Sequence, residues 1–119
     1  MAHILAVDDS QTMRDLVKET LESVGYQVTV AENGLDGLEK FKKNKYDLVI
    51  ADINMPVMDG ITMIKEIRKI DKFIPIITLT TESEETKKQE GRAAGADGWI
   101  VKPFKPAQFL DIIKQILEG

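Results

Sequence analysis

The 119-residue chain has no cysteine, one histidine and one tryptophan, and only 6% of its residues are aromatic. Without thiols it has no disulfide, thiolate nucleophile or zinc–thiolate site, and a lone His3 is poor material for a Ser-His-Asp triad. A basic surplus is also missing: 16 Lys and Arg stand against 20 Asp and Glu, a formal net charge of −4. That balance speaks against direct grip on a nucleic-acid backbone. The start, Met1-Ala-His-Ile-Leu-Ala-Val-Asp-Asp9, has no basic leader and reaches two acids after four apolar residues, so it does not read as a signal peptide. No apolar run approaches the ~20 residues of a membrane-spanning helix. Neither nucleic acid nor membrane insertion is expected, and the expected compartment is the cytoplasm.

What is present is an ordinary globular composition, 43% hydrophobic and 30% charged. The length suits one domain. Two periods alternate along it. Short apolar runs at 4–7, 28–30, 48–51, 74–79 and 99–101 have the length and β-branching of buried strands. Between and after them, Met13, Leu16, Val17, Leu21 and Val24 share one helical face that Gly25 can end, and Phe109, Ile112, Ile113, Ile116 and Leu117 share another. Leu35, Leu38 and Phe41 mark a further helix, as do Ile61, Ile64 and Ile67. The segment 82–94 crowds Glu82, Glu84, Glu85, Lys87, Lys88, Glu90 and Arg92 around Gly91 and is expected to be the loosest element. Five β–α units with short turns predict an α/β fold with a five-stranded parallel sheet and helices on both faces. The first strand starts near residue 3 and the last helix runs to near 118, so the expectation is a single domain over 1–119 without an effector domain.

In such a sheet, ligands bind beyond the carboxyl ends of the strands. Those ends carry Asp8-Asp9, Asp52, Thr80 and Lys102. A single Asp after a strand usually caps or turns the chain. Three carboxylates in one crevice are different, because each close pair costs up to ~4 kcal/mol at 4 Å and an effective dielectric of 20. The cluster calls for a cation or a raised pKa. Mg²⁺ suits such all-oxygen ligation, completed by waters and a phosphate. Lys102 and Thr80 would then meet phosphoryl oxygens, and Asp52 would act as a carboxylate nucleophile forming an aspartyl phosphate.

Asp8-Asp9, Asp52 with Met55-Pro56 and Met58-Asp59-Gly60, Thr80, and Lys102-Pro103-Phe104 resemble the receiver domain of two-component response regulators. The resemblance spans the chain. It implies a doubly wound, flavodoxin-like sheet in the order 2-1-3-4-5 and a phosphoryl group taken by Asp52 from a histidine kinase. It further implies direct Mg²⁺ ligation by Asp9, Asp52 and the backbone carbonyl of Asn54, with Asp8 acting through water. Lys102 would contact the phosphoryl group, Thr80 would turn toward it, and the Lys102-Pro103 bond would be cis. The protein would assist its own phosphorylation and dephosphorylation but would not be an enzyme acting on an outside substrate.

The stand-alone chemotaxis regulators of that family are the most similar, through Met13-Arg14, the run from Asp97 to Pro103, and Asn54 with Glu82. Those two residues look like the pair that positions an attacking water during self-dephosphorylation; the alternative is a loop Asn and a solvated Glu. Trp99 stands where such regulators often carry a Tyr that swings inward. An indole is larger and lacks the phenol hydroxyl, which points to a partial switch; the alternative is a Trp packed permanently against the last helix. The output face would be the fourth helix, fifth strand and fifth helix. Implied partners are a histidine kinase, a protein target such as a flagellar motor switch, and a phosphatase, with the protein a monomer. A phosphate sink, a phosphorelay intermediate or a phosphate-independent interaction module would share the same chain. A flavin module is disfavoured by the two charges after strand one, and an aspartyl phosphatase by Asn54, which stands where a second Asp would be needed as general acid.

Overall fold

A computed structural model describes residues 2–119. The chain alternates β1 (His3–Val7), α1 (Gln11–Glu22), β2 (Gln27–Ala31), α2 (Gly34–Lys43), β3 (Leu48–Ala51), α3 (Gly60–Ile70), β4 (Ile76–Thr80), α4 (Glu85–Ala94), β5 (Gly98–Val101) and α5 (Pro106–Glu118). All pairings are parallel, and the strand order is β2-β1-β3-β4-β5. This is the doubly wound, flavodoxin-like arrangement.

The apolar runs are continuous because both faces of the central strands are covered. Leu5, Val7, Val49, Ala51 and Ile76 face a core shared with Leu38 and Phe41 of α2 and Met63, Ile64 and Ile67 of α3. Ile4, Ala6, Leu48, Ile50, Ile77 and Leu79 face a second core closed by Val17 and Leu21 of α1 and Phe109 and Ile113 of α5. β4 begins later than its apolar run, because Pro75 has no N–H to pair. Its carbonyl still accepts from Val49 N at 3.0 Å.

Helix starts follow the polar residues beside them. Ser10 Oγ accepts from Met13 N, Asn33 Oδ1 from Asp36 N and Asp59 Oδ1 from Thr62 N. Gly25, at φ +95°, closes α1 through Gly25 N to Glu22 O and Tyr26 N to Leu21 O. Neither α4 nor α5 has a side-chain cap at its start, but α5 buries Phe109 and Ile113, whereas α4 buries only the small Gly91 and Ala94.

Four residues of the expected apolar stripes are instead exposed: Leu16, Val24, Leu35 and Ile112. Val24 lies past the end of α1, so helical periodicity no longer applies. Leu35 sits in the first turn of α2, and Leu16 and Ile112 are each one residue off the Val17/Leu21 and Phe109/Ile113 stripes. Among the described residues no helix is long and apolar enough to cross a membrane.

Candidate functional site

Strand register assembles the site. Val7 pairs with Ala51, Ala51 with Thr78, and Thr80 with Val101, so the residues that follow these strands emerge along one rim. The ladder continues into the loops: Asp52 N donates to Val7 O at 2.9 Å, Asp8 N to Ala31 O at 3.1 Å and Lys102 N to Thr80 O at 2.8 Å.

Lys102 Nζ donates to Asp8 Oδ2 at 2.6 Å and to Asp52 Oδ2 at 3.2 Å. The three side chains are 10%, 8% and 9% exposed respectively, so these bonds are largely shielded from water. Asp8 Oδ1 also accepts from Ser10 N at 2.9 Å, and Asp52 Oδ1 from Ile53 N at 2.7 Å. Asp9 is exposed beside them. Carboxylate oxygens of Asp8, Asp9 and Asp52 lie within 4.8 Å of one another.

Burial pushes the Asp8 carboxyl above its usual value. The Lys102 and Ser10 bonds oppose that shift without cancelling it, and the neighbouring Asp52 charge adds to it. Burial works to lower Lys102, but its bond to Asp8 and the Asp52 and Asp8 charges prevail, holding the ammonium above its usual value. The site therefore has three acids and one firmly protonated amine. An all-oxygen donor set with one outward carboxylate fits a hard divalent cation such as Mg²⁺.

The Thr80 side chain is bonded toward Glu82. The fully buried Thr80 Oγ1 accepts from Glu82 N at 3.2 Å, and Glu82 Oε1 accepts from Glu84 N at 3.0 Å. Asn54 is exposed in the loop after β3. Trp99 Nε1 donates to Glu82 O at 2.8 Å, so the backbone of one residue, Glu82, connects the Thr80 hydroxyl to the indole. The Trp99 ring does not pack on α5. It lies under α4, where a Cβ at Gly91 would come within 2.6 Å of its Cζ3 atom. The α4 glycine makes room for it. The Lys102-Pro103 bond is cis.

Two residues that contribute only to the resemblance, Arg14 and Gly60, have contacts that the sequence did not assign. Arg14 Nη1 donates to Asp8 O at 2.6 Å from the first turn of α1. Gly60 sits where any Cβ would collide with Asp52 O, while its N–H donates to Ile53 O at 2.9 Å. Asp59 caps α3 and Gly60 permits the close return, which gives the Asp-Gly pair a physical reason.

Residues 4–114 match the family of the response regulator receiver domain. The chemotaxis protein CheY of Bacillus subtilis is 43% identical over 119 residues, covering 98% of this chain and 99% of that protein. The Vibrio cholerae chemotaxis protein CheY4 superposes with a TM-score of 0.94 at 47% identity, covering 98% of this chain and 99% of that one. The transcriptional regulatory protein ResD of Bacillus subtilis is 40% identical, and there this chain matches 47% of the longer protein. With the strand order, the rim of acids and the match over nearly its whole length, this chain belongs to the response regulator receiver domain family, whose members are signalling phosphoacceptors.

Proposed function

We propose that this protein is a phosphorylation-activated, single-domain response regulator that takes a phosphoryl group from a histidine kinase onto Asp52 in the presence of Mg²⁺. The observation that carries this reading is the Lys102 ammonium bonded to both Asp8 and Asp52 in a shielded pocket beside the exposed Asp9. An Asp52 carboxylate oxygen attacks phosphorus, a new O–P bond forms, and the bond to the donor nitrogen breaks with its electron pair leaving on the imidazole. Bound Mg²⁺, held by Asp9, Asp52 and the Asn54 carbonyl with Asp8 acting through water, would neutralise phosphoryl charge. Lys102 shifts from the carboxylates to a phosphoryl oxygen, and the Thr80 hydroxyl turns to donate to another. Asn54 and Glu82 would orient the water that later removes the group.

Phosphorylation adds about −1.5 to −2 charge at the rim. Turning Thr80 releases the N–H of Glu82, whose carbonyl holds the Trp99 indole. The signal therefore passes through the Glu82 backbone to Trp99 and the α4–β5–α5 face. Trp99 is already under α4, which supports a partial rather than a full swing. The likeness to chemotaxis proteins supports a cytoplasmic role in chemotaxis or motility control, with a motor-switch type of target, a phosphatase and a monomeric state.

Incubation with acetyl phosphate and Mg²⁺ should give one acid-stable, base-labile phosphoryl group per chain. The label should vanish in Asp52→Asn and in EDTA. A folded protein left unlabelled by acetyl phosphate and by its kinase would refute phosphoacceptance.

A further inference from the structure

The loop between β1 and α1 is fastened at nearly every polar atom of Asp8. Its N–H goes to Ala31 O, its Oδ1 takes Ser10 N, its Oδ2 takes Lys102 Nζ, and its carbonyl takes Arg14 Nη1 at 2.6 Å. Asp9, the next residue, is exposed, and its orientation follows from the plane of the Asp8–Asp9 peptide. That plane carries the one oxygen that Arg14 holds. Arg14 itself is half-buried and lines a small cavity together with Asp8, Val17, Ile50 and Leu79, and its bond to the Asp8 carbonyl holds the guanidinium in place. From the first turn of α1 a long side chain reaches back over the preceding loop, as helical side chains lean toward the amino end.

We infer that Arg14 is a positioning residue for the divalent-cation site: by holding the Asp8 carbonyl it sets the Asp8–Asp9 peptide and hence the direction of the Asp9 carboxylate. The inference rests on the metal-assisted phosphoryl acceptance proposed above and adds a residue to it. Such an outer partner matters because a carboxylate on a loop must otherwise lose its freedom when the cation arrives. A planar guanidinium with several donors suits the task better than a shorter, more strongly hydrated ammonium.

Titration calorimetry of metal-free protein with MgCl₂ tests this without any phosphoryl donor. Arg14→Met and the more soluble Arg14→Gln should each weaken Mg²⁺ by about tenfold, the lower end of outer-partner effects, with melting in EDTA little changed. Arg14→Lys should fall between them and wild type. A merely structural arginine would shift melting and leave the Kd alone. In an Asp9→Asn background the Arg14→Met change should have no further effect on Kd, because the carboxylate it orients is gone. An unchanged Kd in a folded Arg14→Met or Arg14→Gln protein, or a full tenfold loss persisting in Asp9→Asn, overturns the inference while leaving the metal site intact. If wild type itself binds no Mg²⁺, the metal reading falls too, and the two failures are thus told apart.

Discussion

Replacing Asp8 by Asn should stabilise the metal-free protein. The Lys102 bond at 2.6 Å gives Asp8 roughly 6 kcal/mol of attraction at an effective dielectric of 20. Asp52, with an oxygen within 4.8 Å, returns about 3.5 kcal/mol of repulsion at the same dielectric, and the water-exposed Asp9 about 1 kcal/mol more. About 2 kcal/mol of attraction is left, against a desolvation cost of several kcal/mol for a carboxylate this buried. The balance agrees in sign with the upward shift of the Asp8 carboxyl. An Asn amide keeps the Ser10 N–H bond through its oxygen, and Lys102 turns from the amide NH2 onto its Asp52 partner, so no charge is orphaned. A net gain of about 1 kcal/mol corresponds to a Tm increase of about 4 °C for a domain of this size.

Calorimetry in EDTA at neutral pH reads the difference. The gap should narrow with added Mg²⁺, which stabilises wild type by mass action. It should also narrow as pH falls, since a carboxyl raised in the fold penalises stability only above its unfolded value of 3.8. Lys102→Met must act oppositely, losing about 3 kcal/mol or more because two shielded carboxylates then face each other unpaired. An Asp8→Asn protein that melts below wild type, with Lys102→Met unchanged, refutes the reasoning.

Gly91→Ala gains about 1 kcal/mol of helix propensity but places a methyl 2.6 Å from the Trp99 ring. Overpacking of ~1–3 kcal/mol should win, lowering Tm and shifting Trp99 emission; a more stable protein with unchanged emission contradicts the seating of the indole. Val57 is 76% exposed at φ +69°, a conformation costly for a β-branched residue. Val57→Asn should therefore raise stability by about 1 kcal/mol, and an equal or lower Tm argues against strain there. Tyr26 donates to Glu118 Oε2 at 2.5 Å, a bond that, with burial and the Glu118 charge, pushes the phenol up to about 12. Its stabilisation is complete below the usual phenol value of 10 and fades as pH rises through about 12, so one tyrosine should titrate near 12 by absorbance. That signal should move down in Glu118→Gln, and an unmoved midpoint rules out the pairing.

Much of this protein is written locally. The five apolar runs declare strands, and the central three are buried on both faces as continuous β-branched runs imply, whereas β2 and β5 at the sheet edges are only partly covered. Asp8-Asp9, Asp52, Thr80 and Lys102 declare a site because strand ends in a parallel sheet converge whatever lies between them. Helix starts at Ser10, Asn33 and Asp59 follow from capping chemistry that acts over three residues. Tertiary structure decided what depends on distance across elements. Which oxygens Lys102 holds, and that Thr80 speaks to Glu82 rather than to the acids, depend on the ladder between β3, β4 and β5. The indole of Trp99 lies under α4 because Gly91, eight residues earlier and on another element, leaves the space. Exposure of Leu16, Leu35 and Ile112 was likewise invisible to periodicity, since a stripe records which residues share a face but not how far the neighbouring layer extends over it. Arg14 is the clearest case: on its own helix it is one more charged residue, and only the folded loop brings the Asp8 carbonyl within 2.6 Å of it.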